Sequence, residues 1–277
     1  MTDFDFTLLS EISLPSYDNG YVFTETARLD KIKEIAARSP YQTRIDKNRF
    51  TLYAKKPLGL IKDRVIVLST HIDAVKEITR FYTEERDKDT IHGTFDNALT
   101  NAAALALMLE GSLPDNVLIA FTADEEMNSS GAIDVVTYLR KASKGIFAIV
   151  LDVTDVGYQD ALFTVENNFY RSTRYHKAVK TTLESLPLSY RFVTVEPAYL
   201  PDYIPLSRVE RNSDGGIFEA LCDESWAYDE ESVECFSLCI PIKGEMHTNN
   251  GASCQKKAFQ AYKEAISAFA QAISHAE

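Results

Sequence analysis

The sequence predicts an α/β protein in which helices cover both faces of a mixed, mostly parallel sheet, a three-layer α/β/α arrangement. Short apolar runs of strand length alternate with segments of helical period through the middle of the chain, and strands joined through helices run parallel. The run Arg64-Val-Ile-Val-Leu-Ser-Thr70 is β-branched and apolar without interruption, as a central strand covered on both faces requires. No Pro/Gly/Ser-rich linker divides the 277 residues, so one domain spanning 1–277 is expected.

Element by element, the chain opens with a helical segment. From Phe23 to Ser39, Leu29, Ile32, Ile35 and Ala36 fall near one face of an amphipathic helix. Tyr41 to Ala54 reads as a β-hairpin turning near Asp46-Lys47-Asn48, and the strand ending at Thr70 follows. Glu77 to Thr90 reads as a charged loop. Next come a helix from about Asn97 to Leu109, a strand Val117 to Thr122, a helix Ser130 to Lys141 and a strand Ile146 to Leu151. A strand Leu162 to Glu166, a helix Thr173 to Leu186 and strands Phe192 to Val195 and Cys235 to Ile240 extend the sheet. In the closing helix Phe259, Tyr262, Ile266, Phe269 and Ile273 recur at steps of three and four, a stripe that packs on the sheet.

Composition narrows the function. With 45% hydrophobic and 25% charged residues the chain is built to fold. Its 29 basic against 41 acidic residues give a net charge of −12, which leaves no basic stripe for phosphates, so nucleic acid is not an expected partner. No stretch approaches the ~20 apolar residues of a membrane span. The start, Met1-Thr-Asp-Phe-Asp-Phe6, lacks the features of a secretory signal, and a cytoplasmic location is expected. Cys222, Cys235, Cys239 and Cys254 contain no CxxC pair and read as reduced thiols.

Open α/β sheets place ligand sites beyond the carboxyl ends of their strands. Those positions are uniform in chemistry here. His71 and Asp73 follow the first central strand; Asp124, Glu125 and Glu126 the second; Asp152 the third; His247 the last; and Asp96 opens a helix between the first two. Imidazole and carboxylate are the ligands that zinc accepts when a coordination position stays open. Two histidines with several carboxylates suffice for two ions, and a close pair of ions needs one carboxylate between them, for which Asp96 is the natural candidate. By contrast, Glu84-Glu85 and Glu230-Glu231 read as solvated faces, and His92, His176 and His275 as structural or surface residues.

At these residues the chain resembles the co-catalytic zinc aminopeptidases, the M28-like group of the zinc peptidase clan that also holds the M42 and M20 families. Ser69-Thr-His71-Ile-Asp73 looks like the family's first His-x-Asp; Gly93-Thr-Phe-Asp96-Asn97-Ala98 like its Asp-Asp-Asn segment, with Phe95 where Asp is frequent; Thr122-Ala-Asp-Glu125-Glu126 before Gly131-Ala132 like its Glu-Glu motif. Leu151-Asp152 and Met246-His247-Thr248 look like the remaining ligand positions. The steps from His71 through Asp96, Glu126 and Asp152 to His247 are 25, 30, 26 and 95 residues, similar to the family's order and spacing, and the matching pieces cover about 180 residues.

The resemblance implies a zinc-exopeptidase-like fold and two Zn²⁺ ions, with Co²⁺ or Mn²⁺ also compatible with N/O ligands. One ion takes His71, Asp152 and one oxygen of Asp96; the other takes Glu126, His247 and the second oxygen of Asp96. Glu125 is left as the catalytic base, and Asp73 orients His71. The implied reaction is removal of the N-terminal residue of a peptide or aminoacyl substrate. Asp214, in Asn212-Ser-Asp-Gly-Gly-Ile-Phe218, resembles a turn that grips the substrate amine, and reads equally as a helix N-cap.

Two departures stand out. Met246 replaces the Tyr that often precedes the last His in M28-like enzymes, as in M42-like sequences. The 25 residues between His71 and Asp96 have no room for the inserted domain of M42-like enzymes, so no inserted lid or dimerisation domain is expected. The rival readings are another amide hydrolase of the clan, a carboxypeptidase or N-acyl amino acid deacylase using Arg208 or Arg211 for a substrate carboxylate, and a catalytically silent binding protein of the same fold.

Overall fold

The computed structural model describes residues 1–16, 26–127, 129–166, 173–194, 203–205, 227–228 and 233–276. At its centre β3 (Arg64–His71) runs parallel to β6 (Val117–Thr122) on one edge and β7 (Gly145–Thr154) on the other, and β11 (Glu234–Glu245) runs parallel to β7. The hairpin β1 (Thr43–Asp46) and β2 (Phe50–Ala54) adds antiparallel to β6. Beyond β11 lie antiparallel β8 (Phe163–Glu166), then β9 (Tyr190–Thr194) and β10 (Tyr203–Pro205), parallel to their neighbours. The sheet is thus mixed and mostly parallel, as its apolar runs predict: Val65 to His71 of β3 are all buried.

Helices cover both faces, and side-chain alternation along β7 shows it. Phe147, Ile149 and Leu151 enter the main core, while Ala148 and Val150 join a second cluster with Ala132 and Val136 of α4 (Ser130–Lys141) and Tyr228. Period-two alternation sends successive side chains to opposite faces. The main face carries α1 (Asp3–Ile12), α2 (Ala27–Ala36), α3 (Ala98–Glu110), α5 (Thr173–Ser185) and α6 (Lys256–Ser274). Every α3 residue from Ala98 to Met108 is buried, so this helix is covered all round and serves as the axis of that layer. It ends at Gly111, whose φ of 66° and approach to Pro40 leave no room for a side chain.

The stripe of α6 is buried in full. Phe269 meets Phe236 of β11 edge-on at 5.2 Å, and the Tyr262 hydroxyl donates to the Leu238 carbonyl at 2.6 Å. Each such apolar side chain contributes about 1.5–3 kcal/mol. Cys235, Cys239 and Cys254 are buried and stand in no disulfide. Among the described residues no helix is long and apolar enough to cross a membrane.

The structure corrects the reading of residues 77–90 as a loop. β4 (Thr83–Glu85) and β5 (Thr90–Gly93) pair antiparallel and join β12 (Gly251–Gln255), which in turn pairs with the last residues of β11. β11 therefore belongs to two sheets: Glu234 to Pro241 face β7, and Ile242 to Glu245 face β12. Glu84 and Glu85 are exposed on a three-residue edge strand, which leaves no apolar alternation for a sequence reading to find.

Candidate metal centre

Each residue expected at the site sits where a specific element delivers it. His71 is the last residue of β3, and the Ile72 N–H donates to the Thr122 carbonyl at 2.9 Å, carrying Asp73 out beside the end of β6. Beyond Thr122 the chain turns at Asp124, whose φ of 68° lies in the left-handed region that Asp tolerates better than most residues. Glu125 and Glu126 follow on that turn. The fit behind them is tight, since a Cβ on Gly131 would meet the Ala123 carbonyl at 2.5 Å. Asp152 lies within β7, and its Oδ1 accepts the Val153 N–H at 2.7 Å.

Asp96 precedes α3 through a cis peptide to Asn97. The Asn97 amide donates to the Leu151 carbonyl at 2.9 Å, and the Asn101 amide donates to the His71 carbonyl at 3.0 Å. These asparagines tie the start of α3 to β7 and β3, one residue from Asp152 and at His71 itself. His247 sits on the turn between β11 and β12. There Asn249 Oδ1 accepts the Thr79 and Arg80 N–H groups at 2.8 Å each, and the Asn250 carbonyl faces His92 Nε2 at 2.8 Å and accepts from the Tyr82 hydroxyl at 3.0 Å. His92, expected to be structural, thus helps fix the turn that carries His247.

The side chains converge around Asp96. Its Oδ1 stands 3.1 Å from His71 Nε2 and its Oδ2 3.0 Å from His247 Nε2. His71 Nε2 is also 3.7 Å from Asp152 Oδ1 and 3.9 Å from Glu125 Oε2, and His247 Nε2 is 3.9 Å from Glu126 Oε2. On the other side of the ring, His71 Nδ1 faces Asp73 Oδ1 at 3.6 Å. His71 is 2% exposed, whereas the His247 side chain is 48% exposed, so one imidazole is sealed in the core and the other faces solvent.

The titration behaviour follows from this crowding. Burial pulls His71 down, but Glu125, Asp152, Asp73 and Asp96 overcome it and hold the imidazole well above its ordinary value. Burial would raise Asp96, yet hydrogen bonds from His247 and His71 keep it well below the usual carboxylate range. Glu125 is pushed well above that range, by burial first and by Asp152, Glu126 and Asp73 next. Burial and Asp96 push Glu126 up to about 8, and the hydrogen bond to Asp96 raises His247 to about 9. A group of carboxylates that takes up protons in this way is short of positive charge.

His71, Asp96 and Glu126 each offer a ligand atom, and these atoms lie within 4.8 Å of one another. His71 Nδ1, Asp73 Oδ1 and Glu126 Oε1 are buried without a hydrogen bond among the described residues. Unsatisfied buried polar atoms are costly, and cations among these oxygens and imidazoles would satisfy them with the N/O donors that Zn²⁺ accepts. The donor set therefore fits the metals that the sequence implies. Asp214, Arg208 and Arg211 lie outside the described residues.

The sequence reading missed Arg28. It is fully buried, its Nη1 donates to the Ile72 carbonyl at 2.9 Å between His71 and Asp73, and its Nε and Nη2 have no hydrogen-bond partner among the described residues. A signal was present: Arg28 lies four residues before Ile32 and seven before Ile35, so a charge stands on the apolar stripe of its helix.

The architecture is one known from aminopeptidase structures. A TET aminopeptidase from a marine sediment thaumarchaeon matches with a TM-score of 0.64 at 11% identity over 96% of each chain. The TET1 peptidase of Pyrococcus horikoshii, described as assembling into a tetrahedron or a large octahedral shell, matches with a TM-score of 0.59 at 12% identity over 96% of this chain and 99% of its own. The LapA aminopeptidase of Legionella pneumophila gives 0.61 at 14% identity over 100% of this chain and 73% of its own. No family model and no curated protein sequence matches the chain. At these identities the likeness is one of fold.

Proposed function

We propose that this chain is a metallo-aminopeptidase that holds two divalent cations, Zn²⁺ by donor chemistry, and releases the N-terminal residue of a peptide or aminoacyl substrate. The observation that carries the reading is Asp96, one carboxylate presenting its two oxygens to two imidazoles from different elements, with Glu125 beside them. His71 and Asp152 with Asp96 would hold one ion, and Glu126 and His247 with Asp96 the other. When bound, such ions would lower the pKa of a water towards ~7 and polarise a carbonyl.

The protein's own groups supply the rest. Glu125, whose proton affinity burial has raised, takes a proton from water and returns it to the leaving amine. Asp73 Oδ1 faces the His71 ring at Nδ1, and Nε2 is directed at Asp96. Met246 brings no O–H donor to the position before His247.

The sequence motifs resemble the M28-like group, and the TET structures among the similar folds support the wider zinc aminopeptidase clan. We read the chain as one catalytic domain, because β11 makes the small sheet and the large one continuous. Metal analysis of the purified protein together with a panel of aminoacyl anilides tests the proposal. Two equivalents of metal, and cleavage of free-amine but not N-acetylated substrates, are expected. Turnover confined to N-acylated or C-terminal substrates would assign the site to another amide hydrolase, and full metal occupancy without turnover of either class to a binding protein.

A further inference from the structure

Arg28 has no place in the metal chemistry, yet it is the most anomalous charge near the site. Its side chain is 0% exposed, and among the described residues only one of its guanidinium nitrogens has a hydrogen-bond acceptor. A buried ion without a hydrogen-bonded partner is strongly disfavoured unless opposite charges lie close by. Burial lowers the Arg28 pKa to about 10, and the groups that oppose this are Asp96, Asp73 and Glu126. The guanidinium is anchored to the Ile72 carbonyl, the peptide between His71 and Asp73, and packs 5.6 Å from the Phe81 ring centre. These two contacts fix the positive charge at the peptide that joins His71 to Asp73.

We infer that Arg28 is an internal counter-charge for this carboxylate group: it stabilises the metal-free protein and, by its repulsion of incoming cations, weakens metal binding. The inference rests on the metal-centre reading above. Two positive occupants compete for the same negative field, so Arg28 and the metals are coupled with unfavourable sign, and such a coupling is reciprocal. A purely architectural arginine behaves differently. Losing its packing and its bond to Ile72 would lower the stability of metal-free and metal-loaded protein alike, or would loosen the ligands and weaken the metal.

The test uses the full chain stripped of metal, titrated with Zn²⁺ against a chromophoric chelator, with thermal melting of both forms. Arg28→Met and Arg28→Gln remove the charge, the latter keeping an N–H donor for Ile72; Arg28→Lys keeps the charge. The neutral variants are expected to melt lower than wild type when stripped and to bind Zn²⁺ at least about fivefold more tightly. Arg28→Lys is expected to bind with wild-type affinity. Equal or weaker Zn²⁺ binding by a folded neutral variant, or tightening in Arg28→Lys as well, overturns the inference while leaving the metal centre standing. If wild type itself binds no Zn²⁺, the metal-centre reading and this inference fall together, and that result is distinct from the others.

Discussion

Asp73 accepts the Glu126 N–H at 3.2 Å through Oδ2 while its Oδ1 faces His71 Nδ1 at 3.6 Å. One buried carboxylate thereby faces the ring of a residue on β3 and binds the backbone of a residue beyond β6. Replacing it unfixes a ligand from each proposed metal position. Asp73→Ala is expected to reduce metal affinity about 10- to 100-fold, measured by chelator competition; unchanged affinity removes Asp73 from the site.

Glu125 stands 3.9 Å from His71 Nε2 and contributes no bond to Asp96. Glu125→Gln preserves its shape and removes its basicity. Turnover should fall about 10²- to 10⁴-fold with the metal content unchanged. Loss of metal in this variant would make Glu125 a ligand instead of the base.

Asp96 touches both imidazoles, so Asp96→Ala is expected to empty both metal positions together. Asn249 acts on one side only, through its bonds to Thr79 and Arg80. Asn249→Ala should weaken the position that uses His247 and spare the one that uses His71. A two-step metal titration separates these outcomes, and a loss of both sites in Asn249→Ala contradicts the division.

Away from the site, Lys263 on α6 donates to Asp5 on α1 at 2.9 Å and to Glu110 on α3 at 2.8 Å, binding three helices through one buried ammonium. Burial raises Asp5, but the Thr2 N–H, Lys263 and the Thr2 hydroxyl outweigh it, so its pKa is lowered. A lowered carboxylate adds stability above its unfolded pKa and loses it as the pH falls through the folded value. Asp5→Asn should therefore cost about 1.5–3 kcal/mol at neutral pH, and the gap to wild type should close below about pH 4. Denaturant titrations at several pH values measure both.

The large sheet is legible from sequence where burial imposes a period. Val117–Thr122 and Ser130–Lys141 are bounded as the apolar pattern places them, because each must cover or cross the core. The small sheet is not legible. β4 has three residues, two of them exposed glutamates, and β11 runs past Pro241 to Glu245 because a second sheet takes over its pairing. Strand ends disclose His71, Glu125, Glu126 and Asp152 as a group, and a charge on the apolar stripe of α2 marks Arg28, whereas the asparagines that anchor α3 act through contacts that no spacing encodes. Residues such as Asp214 stand outside this comparison, since they lie beyond the described part of the chain.

The double membership of β11 gives the two imidazoles unequal footing. His71 ends a strand paired along both edges, while His247 rides a turn braced by short strands at the rim. Rim elements of this kind open at lower free energy than central ones, so amides of 83–93 should exchange with deuterium ahead of those of 65–71. Cation departure should then follow a fixed order, beginning at the imidazole on the yielding margin and ending at the one embedded in the rigid middle.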